Sequence, residues 1–169
     1  MHGRPGPQGA GTRTQGSTMS TGNPSSEMQV NLMLADFAQV ADGKLNVLGG
    51  GWSVTGPDPA PFALAGLFEV PWTLTNIQHQ FRFELLDADG QNVMVETPEG
   101  VQPLFFEGGF GVPSEAVPEG ATQRVPFALN GAPLPLAAGT TYEWRLTING
   151  ETREDWSVGF AMRAPAPAA

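Results

Sequence analysis

The chain has 169 residues, and 17 Asp plus Glu outnumber 8 Lys plus Arg, so its formal net charge is -9. This acidic balance argues against nucleic acid as a partner, because phosphates are held by basic surfaces. The chain has no cysteine, which excludes disulfides, thiol catalysis and thiolate zinc sites. No apolar run is long enough to span a membrane. With 40% hydrophobic residues, the composition predicts one acidic, soluble domain, which we place in the cytoplasm.

The two ends of the chain differ in composition from its middle. Residues 1–27 combine Gly, Pro, Ser, Thr and Gln with almost no large apolar side chains, which predicts a disordered N-terminal tail. Met19 begins a second start-like sequence, and one hypothesis places residues 1–18 outside the native protein. Residues 164–169 form a Pro/Ala tail. The predicted folded domain is therefore 28–163.

In the first third of this domain, apolar runs alternate with turn residues. Gln29–Phe37 is mostly apolar, as in a strand covered on both faces. Asp42-Gly43 predicts a turn into a strand at Lys44–Leu48. Three glycines, Gly49–Gly51, predict a bend before a further strand at Trp52–Thr55, since glycine tolerates strained backbone angles.

The clearest hairpin lies near the C terminus. Thr141–Asn149 alternates apolar and polar residues with a period of two, and Asn149-Gly150 is a strong signal for a type I′ turn. The return strand places Trp156 and Phe160 on one face. Five other segments also predict strands: Phe62–Trp72, His79–Leu85, Asn92–Glu96, Pro103–Glu107 and Gln123–Leu129. A turn at Asp87–Gly90 joins the second of these to the third.

About eight or nine short strands separated by turn signals predict an all-β fold. Because Gln29–Phe37 and Phe62–Trp72 look like central strands covered on both sides, we favour an antiparallel β-sandwich, immunoglobulin-like or jelly-roll-like, over a barrel. The Pro- and Gly-rich stretches 56–61, 108–121 and 130–139 are predicted to be connecting loops, with bends at Gly49–Gly51 and at Gly108–Gly111.

One segment resembles a known family. Ala35–Trp52, with the sequence ADFAQVADGKLNVLGGGW, is similar to the opening signature of a bacterial family of uncharacterised single-domain proteins, a domain of unknown function. The resemblance covers about 28–162, including the strand and turn at Tyr142–Glu151. It implies a compact β-sandwich without an established activity, and it brings no catalytic residues.

Residues suited to catalysis or metal binding are few. His79 is the one histidine of the predicted domain, and its place on an apolar strand face favours a structural, hydrogen-bonded role. Asp87 and Asp89 resemble the start of a calcium loop, but Asn92 and Pro98 stand where an EF-hand needs Gly and Glu. We therefore predict no catalytic residue, metal or cofactor.

Three aromatic residues are the candidate binding residues. Trp52 follows the glycine bend and Trp72 ends a predicted strand, so either indole could lie exposed at one end of a sandwich and stack on a sugar. Phe110 lies in the predicted loop 108–121, where an apolar tip can anchor a partner. Packing within the core is the competing interpretation for all three.

The favoured interpretation is a non-catalytic β-sandwich protein that binds another protein or assembles with itself. The first alternative is a carbohydrate-binding module that uses Trp52 or Trp72. The second, less favoured, is a hydrolase that uses carboxylates alone. A homo-oligomer is compatible with the two long apolar runs, whereas nucleic acid and membrane are not expected as partners.

Overall fold

The computed structural model describes residues 27–168. The predicted tail 1–27 lies outside the described residues except for Glu27, whose carboxylate pairs with Arg153 at an N–O distance of 2.9 Å. Residues 27–168 form twelve β-strands and two 3-10 helices. The strands are β1 Gln29–Ala35, β2 Phe37–Ala41, β3 Lys44–Leu48, β4 Val54–Thr55, β5 Phe62–Pro71, β6 Gln78–Leu86, β7 Met94–Thr97, β8 Gly100–Pro103, β9 Phe105–Gly111, β10 Thr122–Gly131, β11 Thr141–Ile148 and β12 Glu151–Met162. The 3-10 helices are Trp72–Leu74 and Ser114–Ala116.

The strands form two larger sheets and two separate hairpins. One sheet has the order β1-β5-β10 and the other β4-β12-β11-β6-β9, while β2 pairs with β3 and β7 with β8. The pairs are antiparallel except for β4 with β12, which is parallel. The prediction of an all-β fold is confirmed.

The twelve strands exceed the predicted eight or nine because predicted runs are interrupted. Gln29–Phe37 breaks at Asp36, whose backbone N–H donates to the carbonyls of both Leu48 and Gly49, at 3.1 and 3.3 Å. The one residue between β1 and β2 thereby faces two residues, the last of β3 and the one after it, which bends the chain. The predicted strand Trp52–Thr55 is shorter than expected, since only Val54–Thr55 pairs with β12.

The two larger sheets contribute side chains to one aromatic core. Phe62 of β5 stacks on Trp144 of β11 with ring centroids 5.7 Å apart, and Phe68 of β5 stacks on Phe110 of β9 at 4.4 Å. Burying one such side chain contributes about 2 kcal/mol. The two sheets are therefore held together by apolar residues on strands that are distant in sequence. Along each strand these residues occur at every second position.

The opposite face of the three-stranded sheet is lined by alanine. Ala63 and Ala65 of β5 are fully buried, beside Ala35 of β1 in the same sheet and against Ala38 of the β2–β3 hairpin. Side chains this small allow the hairpin backbone to lie close to the sheet. Strand β5 is therefore covered on both faces, as its continuous apolar sequence predicts.

The predicted hairpin near the C terminus is confirmed. Strand β11 ends at Ile148 and β12 begins at Glu151, so Asn149 and Gly150 form a two-residue turn. Their φ angles are +50° and +80°. A type I′ turn needs positive φ at both central residues, which Asn and Gly tolerate best.

The predicted loop at 108–121 is wrong in its first part. Gly108–Gly111 does not bend but belongs to β9, which pairs with β6 along its whole length. A Cβ at Gly108 would lie 2.8 Å from Cζ of Phe81, and one at Gly109 would lie 2.8 Å from Nε2 of Gln80. Glycine at 108 leaves room for the Phe81 ring of the adjacent strand β6.

Candidate ligand-binding site

The glycine bend positions Trp52. Gly49 and Gly51 have φ angles of +60° and +86°, and the Gly51 N–H donates to the Leu34 carbonyl at 2.7 Å. The chain is thereby brought back beside the end of β1. Trp52 is half-buried, and its indole meets the ring of Phe160 edge-on with centroids 5.8 Å apart.

A small cavity of about 50 Å³ lies beside this indole. Its apolar lining comes from four strands and three loops that converge at one end of the two sheets. These residues are Leu34, Trp52, Pro59, Ala60, Pro61, Phe62, Leu134, Leu136, Trp144, Phe160 and Met162. The polar residues of the lining are Asp36, Thr55 and Asp58. An apolar pocket with few polar groups is the usual form of a small-molecule site.

A wider groove of about 510 Å³ adjoins the cavity. The groove and the cavity share Asp36, Trp52, Thr55 and Asp58, so the indole borders both spaces. Arg163 also lines the groove. We call this combined space the Trp52 pocket.

Backbone contacts hold the polar residues of the Trp52 pocket. The Asp36 carboxylate occupies the space that a Cβ at Gly49 would need, so the glycine allows the acid to lie against the bend. Opposite charge is supplied by Arg163, whose Nη1 donates to the Gly56 carbonyl at 3.4 Å. The Arg163 N–H donates to the Thr55 carbonyl at 2.8 Å, which extends the parallel pairing of β4 and β12. The pocket thus combines two acceptor carboxylates with a donor guanidinium.

The indole nitrogen of Trp52 is buried and has no hydrogen-bond partner among residues 27–168. The same holds for Trp156, whose ring lies under the guanidinium of Arg153 with 5.1 Å from Cζ to the centroid. A buried donor without an acceptor costs about 1–3 kcal/mol.

The other two sequence candidates do not join Trp52. Trp72 lies in the 3-10 helix after β5, half-buried against the main core, and its carbonyl accepts a hydrogen bond from Thr75 Oγ1 at 2.6 Å. Phe110 was expected at a loop tip but lies within β9, stacked on Phe68. Neither residue lines the Trp52 pocket.

His79 has the structural role that the sequence predicts. It is 2% exposed, its Nε2–H donates to the Leu74 carbonyl at 3.0 Å, and its Nδ1 accepts from Asn149 Nδ2 at 3.2 Å. Because a carbonyl can only accept, the proton must lie on Nε2. Nε2 thus links β6 to the 3-10 helix Trp72–Leu74, and Nδ1 links β6 to the turn between β11 and β12.

The predicted aspartate turn is also structural. Asp87 Oδ1 accepts from the backbone N–H groups of Asp89 and Gln91, both at 2.9 Å, which is the pattern of an Asx turn. Across residues 27–168, no group of three His, Asp or Glu side chains is placed to hold a metal ion.

Sequence reasoning did not identify three polar residues of the pocket. Asp36 carries a signal, because it is the one acid between the apolar residues Met33 and Val40. Asp58 in the Pro-rich loop and Arg163 after β12 carry none, since only the folded chain brings them beside Trp52.

Comparison with known proteins identifies a family without a known function. No curated protein is significantly similar to the chain. Within the described part, no helix is long and apolar enough to cross a bilayer. The model of a family of unknown function (DUF6941) matches residues 31–159, well over half of the chain, which agrees with the expected membership of an uncharacterised family. The protein therefore belongs to this family of unknown function.

Proposed function

We propose that the protein is a non-catalytic binding module whose Trp52 pocket takes a carbohydrate. One observation carries the proposal. A half-buried indole lies between a small cavity and a wider groove, and the acidic residues Asp36 and Asp58 line both spaces.

The chemistry of this lining suits a sugar. Sugars present an apolar face of C–H groups, which packs on an indole, and an edge of hydroxyls, which donate to carboxylates and accept from a guanidinium. The cavity of about 50 Å³ admits only a small group such as a hydroxymethyl, while the groove of about 510 Å³ has room for a sugar ring. An organic cation fits less well because Arg163 lines the same groove.

The absence of catalysis belongs to the same proposal. A hydrolase needs a group free to move protons, and His79 is buried with both ring nitrogens occupied. Asp36 and Asp58 are acceptors for ligand hydroxyls in this proposal, and they are not assigned the acid and base roles of a hydrolase.

The test is a titration of the full chain with a panel of monosaccharides and oligosaccharides. Binding is monitored by tryptophan fluorescence and NMR chemical shifts. We expect at least one saturable response. Trp52→Ala should abolish it, and Asp58→Asn should weaken binding by roughly tenfold, since one charged hydrogen bond is lost.

Trp72→Ala is the matched control, because Trp72 is a second half-buried tryptophan outside the pocket. It should bind like the wild type. Circular dichroism confirms that each variant is folded. No response to any sugar, or a response that survives Trp52→Ala, would contradict the site. Release of smaller sugars from a bound oligosaccharide would show that the protein is an enzyme.

A second candidate function is protein binding or self-assembly. It is favoured by the β2–β3 hairpin, on which Phe37 and Leu48 form a cross-strand pair with 47% and 67% of their surface exposed. Apolar pairs this exposed often mark interaction surfaces.

The type of fold and the location of the protein are part of the proposal. We infer a β-sandwich because side chains of the β1-β5-β10 sheet and of the five-stranded sheet share one core. NMR contacts along the sheet edges test this, because a barrel would pair those edges by hydrogen bonds and a sandwich leaves them unpaired. We also propose a cytoplasmic location for this acidic chain. Cell fractionation tests that inference.

A further inference from the structure

We propose that two copies of this chain pair along the outer edge of β3, so that the two β2–β3 hairpins form one four-stranded sheet across a two-fold axis. Within residues 27–168, β3 is hydrogen-bonded to β2 alone, and no strand is hydrogen-bonded to its other edge. The proposal is independent of the Trp52 pocket.

The orientation of the β3 edge follows from one contact. The Ala38 N–H donates to Asn130 Oδ1 at 3.1 Å, so this group points away from β3. Ala38 faces Val47, and Val40 faces Leu45. Because groups alternate along an antiparallel ladder, the N–H and C=O of Leu45 and Val47 must point outward from β3.

These outward groups define one register for the pair. If Leu45 faces Val47 of the second copy, both outward residues of each strand are used, giving two hydrogen-bonded pairs of two bonds each. Asn46 then lies on the two-fold axis opposite its own copy. An amide both donates and accepts, so two Asn46 side chains can bond to each other.

Side chains on this surface also suit a second copy. In the same register Lys44 lies opposite Leu48, so its aliphatic stem can cover the most exposed leucine of the hairpin. Residues 37–48 contain one acid, Asp42, and one base, Lys44, whereas the whole chain has a net charge of -9. The hairpin is therefore a place where two acidic molecules can meet without strong repulsion.

Disulfide cross-linking tests the register, because the chain has no cysteine of its own. Asn46→Cys should give a covalent dimer under mild oxidation, since facing residues of a non-hydrogen-bonded pair lie within disulfide reach. The control is Gln39→Cys. Gln39 pairs with Asn46 on the same exposed face of the hairpin but lies on β2, away from the edge. It should cross-link roughly tenfold more slowly. Equal rates, or no dimer with Asn46→Cys, would overturn the proposal.

Sedimentation of charged variants supplies an independent test. Asn46→Asp and Asn46→Lys should each weaken the dimer by roughly tenfold, because each places two like charges on the axis. Mixing the two variants should restore a heterodimer. A wild-type chain that stays monomeric at about 1 mM contradicts the proposal, as do charged variants that dimerise like the wild type. If the wild-type chain forms no dimer but binds another protein, and Asn46→Asp no longer binds that protein, the β3 edge belongs to a foreign partner.

Discussion

The side chain of Asn130 binds both backbone groups of Ala38, a residue 92 positions earlier in the chain. The Ala38 N–H donates to Oδ1 at 3.1 Å, and Nδ2 donates to the Ala38 carbonyl at 2.8 Å. The amide thus supplies the two bonds that a neighbouring strand would otherwise make with β2. It holds the β2–β3 hairpin on the alanine-lined face of the sheet.

Replacing Asn130 should therefore destabilise the protein. Asn130→Ala leaves two partly buried backbone groups unpaired, and we expect a loss of about 2 kcal/mol in the free energy of unfolding. Urea denaturation measures this. Asn31→Ala, at an exposed position on β1, should change stability by less than about 0.5 kcal/mol. A similar loss in the free energy of unfolding for both variants would mean that the Asn130 contact does not stabilise the protein.

Gly66 should not tolerate any side chain. A Cβ at this position in β5 would overlap the backbone oxygen of Asn31 and lie 2.9 Å from Cζ of Phe127. Because both neighbours belong to packed strands, Gly66→Ala should cost about 3 kcal/mol in thermal or denaturant unfolding. Gly90→Ala is the comparison, since Gly90 has φ of +75° but open space around it, and should cost about 1 kcal/mol. The reverse order would be inconsistent with the packing of β5.

His79 and Asn149 should contribute to stability as a unit. Asn149 Oδ1 accepts from the Gln80 N–H at 2.8 Å while its Nδ2 donates to His79. We expect His79→Phe to cost about 3 kcal/mol, because a buried carbonyl and an amide lose their partner. Asn149→Gly keeps the turn but removes the same link. A double-mutant cycle should give a coupling of roughly 1 kcal/mol, and additive losses would argue that the contact is energetically neutral.

Tyr142 ties the loop that carries part of the pocket lining. Its hydroxyl accepts from the Ala137 N–H at 2.9 Å, in the segment that contains Leu134 and Leu136. Tyr142→Phe should lower the free energy of unfolding by about 1 kcal/mol. If the Trp52 pocket binds sugars, the same change should weaken binding, because two lining residues lose their anchor. If Tyr142→Phe is less stable but binds the sugar as tightly as the wild type, this loop does not contribute to the site.

The sequence predicted those parts of the fold that depend only on residues adjacent in the chain. Asn149-Gly150 predicted its turn because positive φ is a property of the two residues themselves, and Lys44–Leu48 was predicted with its observed bounds. Gly108–Gly111 misled the prediction, since glycine in a strand looks like a bend until its partner is known. The reason for glycine there is Phe81, which lies on the adjacent strand.

The candidate site was predictable only in part. Trp52 could be singled out because an aromatic residue follows three glycines. Arg163 and Asp58 lie 105 positions apart, and both line the groove because β4 pairs with β12. Strand β4 has two residues, which is too short to give a recognisable sequence pattern. Pockets built where strands end are set by tertiary packing, which periodicity does not describe.

The alanine-lined face gives this protein an uneven tolerance to mutation. In the aromatic core, a change of shape can be absorbed by side chains that adopt new rotamers. Ala63 and Ala65 have no rotamers to change, and both are fully covered by the β2–β3 hairpin. Even one added methyl group there must lift the hairpin, and the bend at Gly49–Gly51 and Trp52 would move with it. Substitution at these two buried positions is thus limited to residues no larger than alanine, and a change at a residue that does not line the pocket can displace its central side chain.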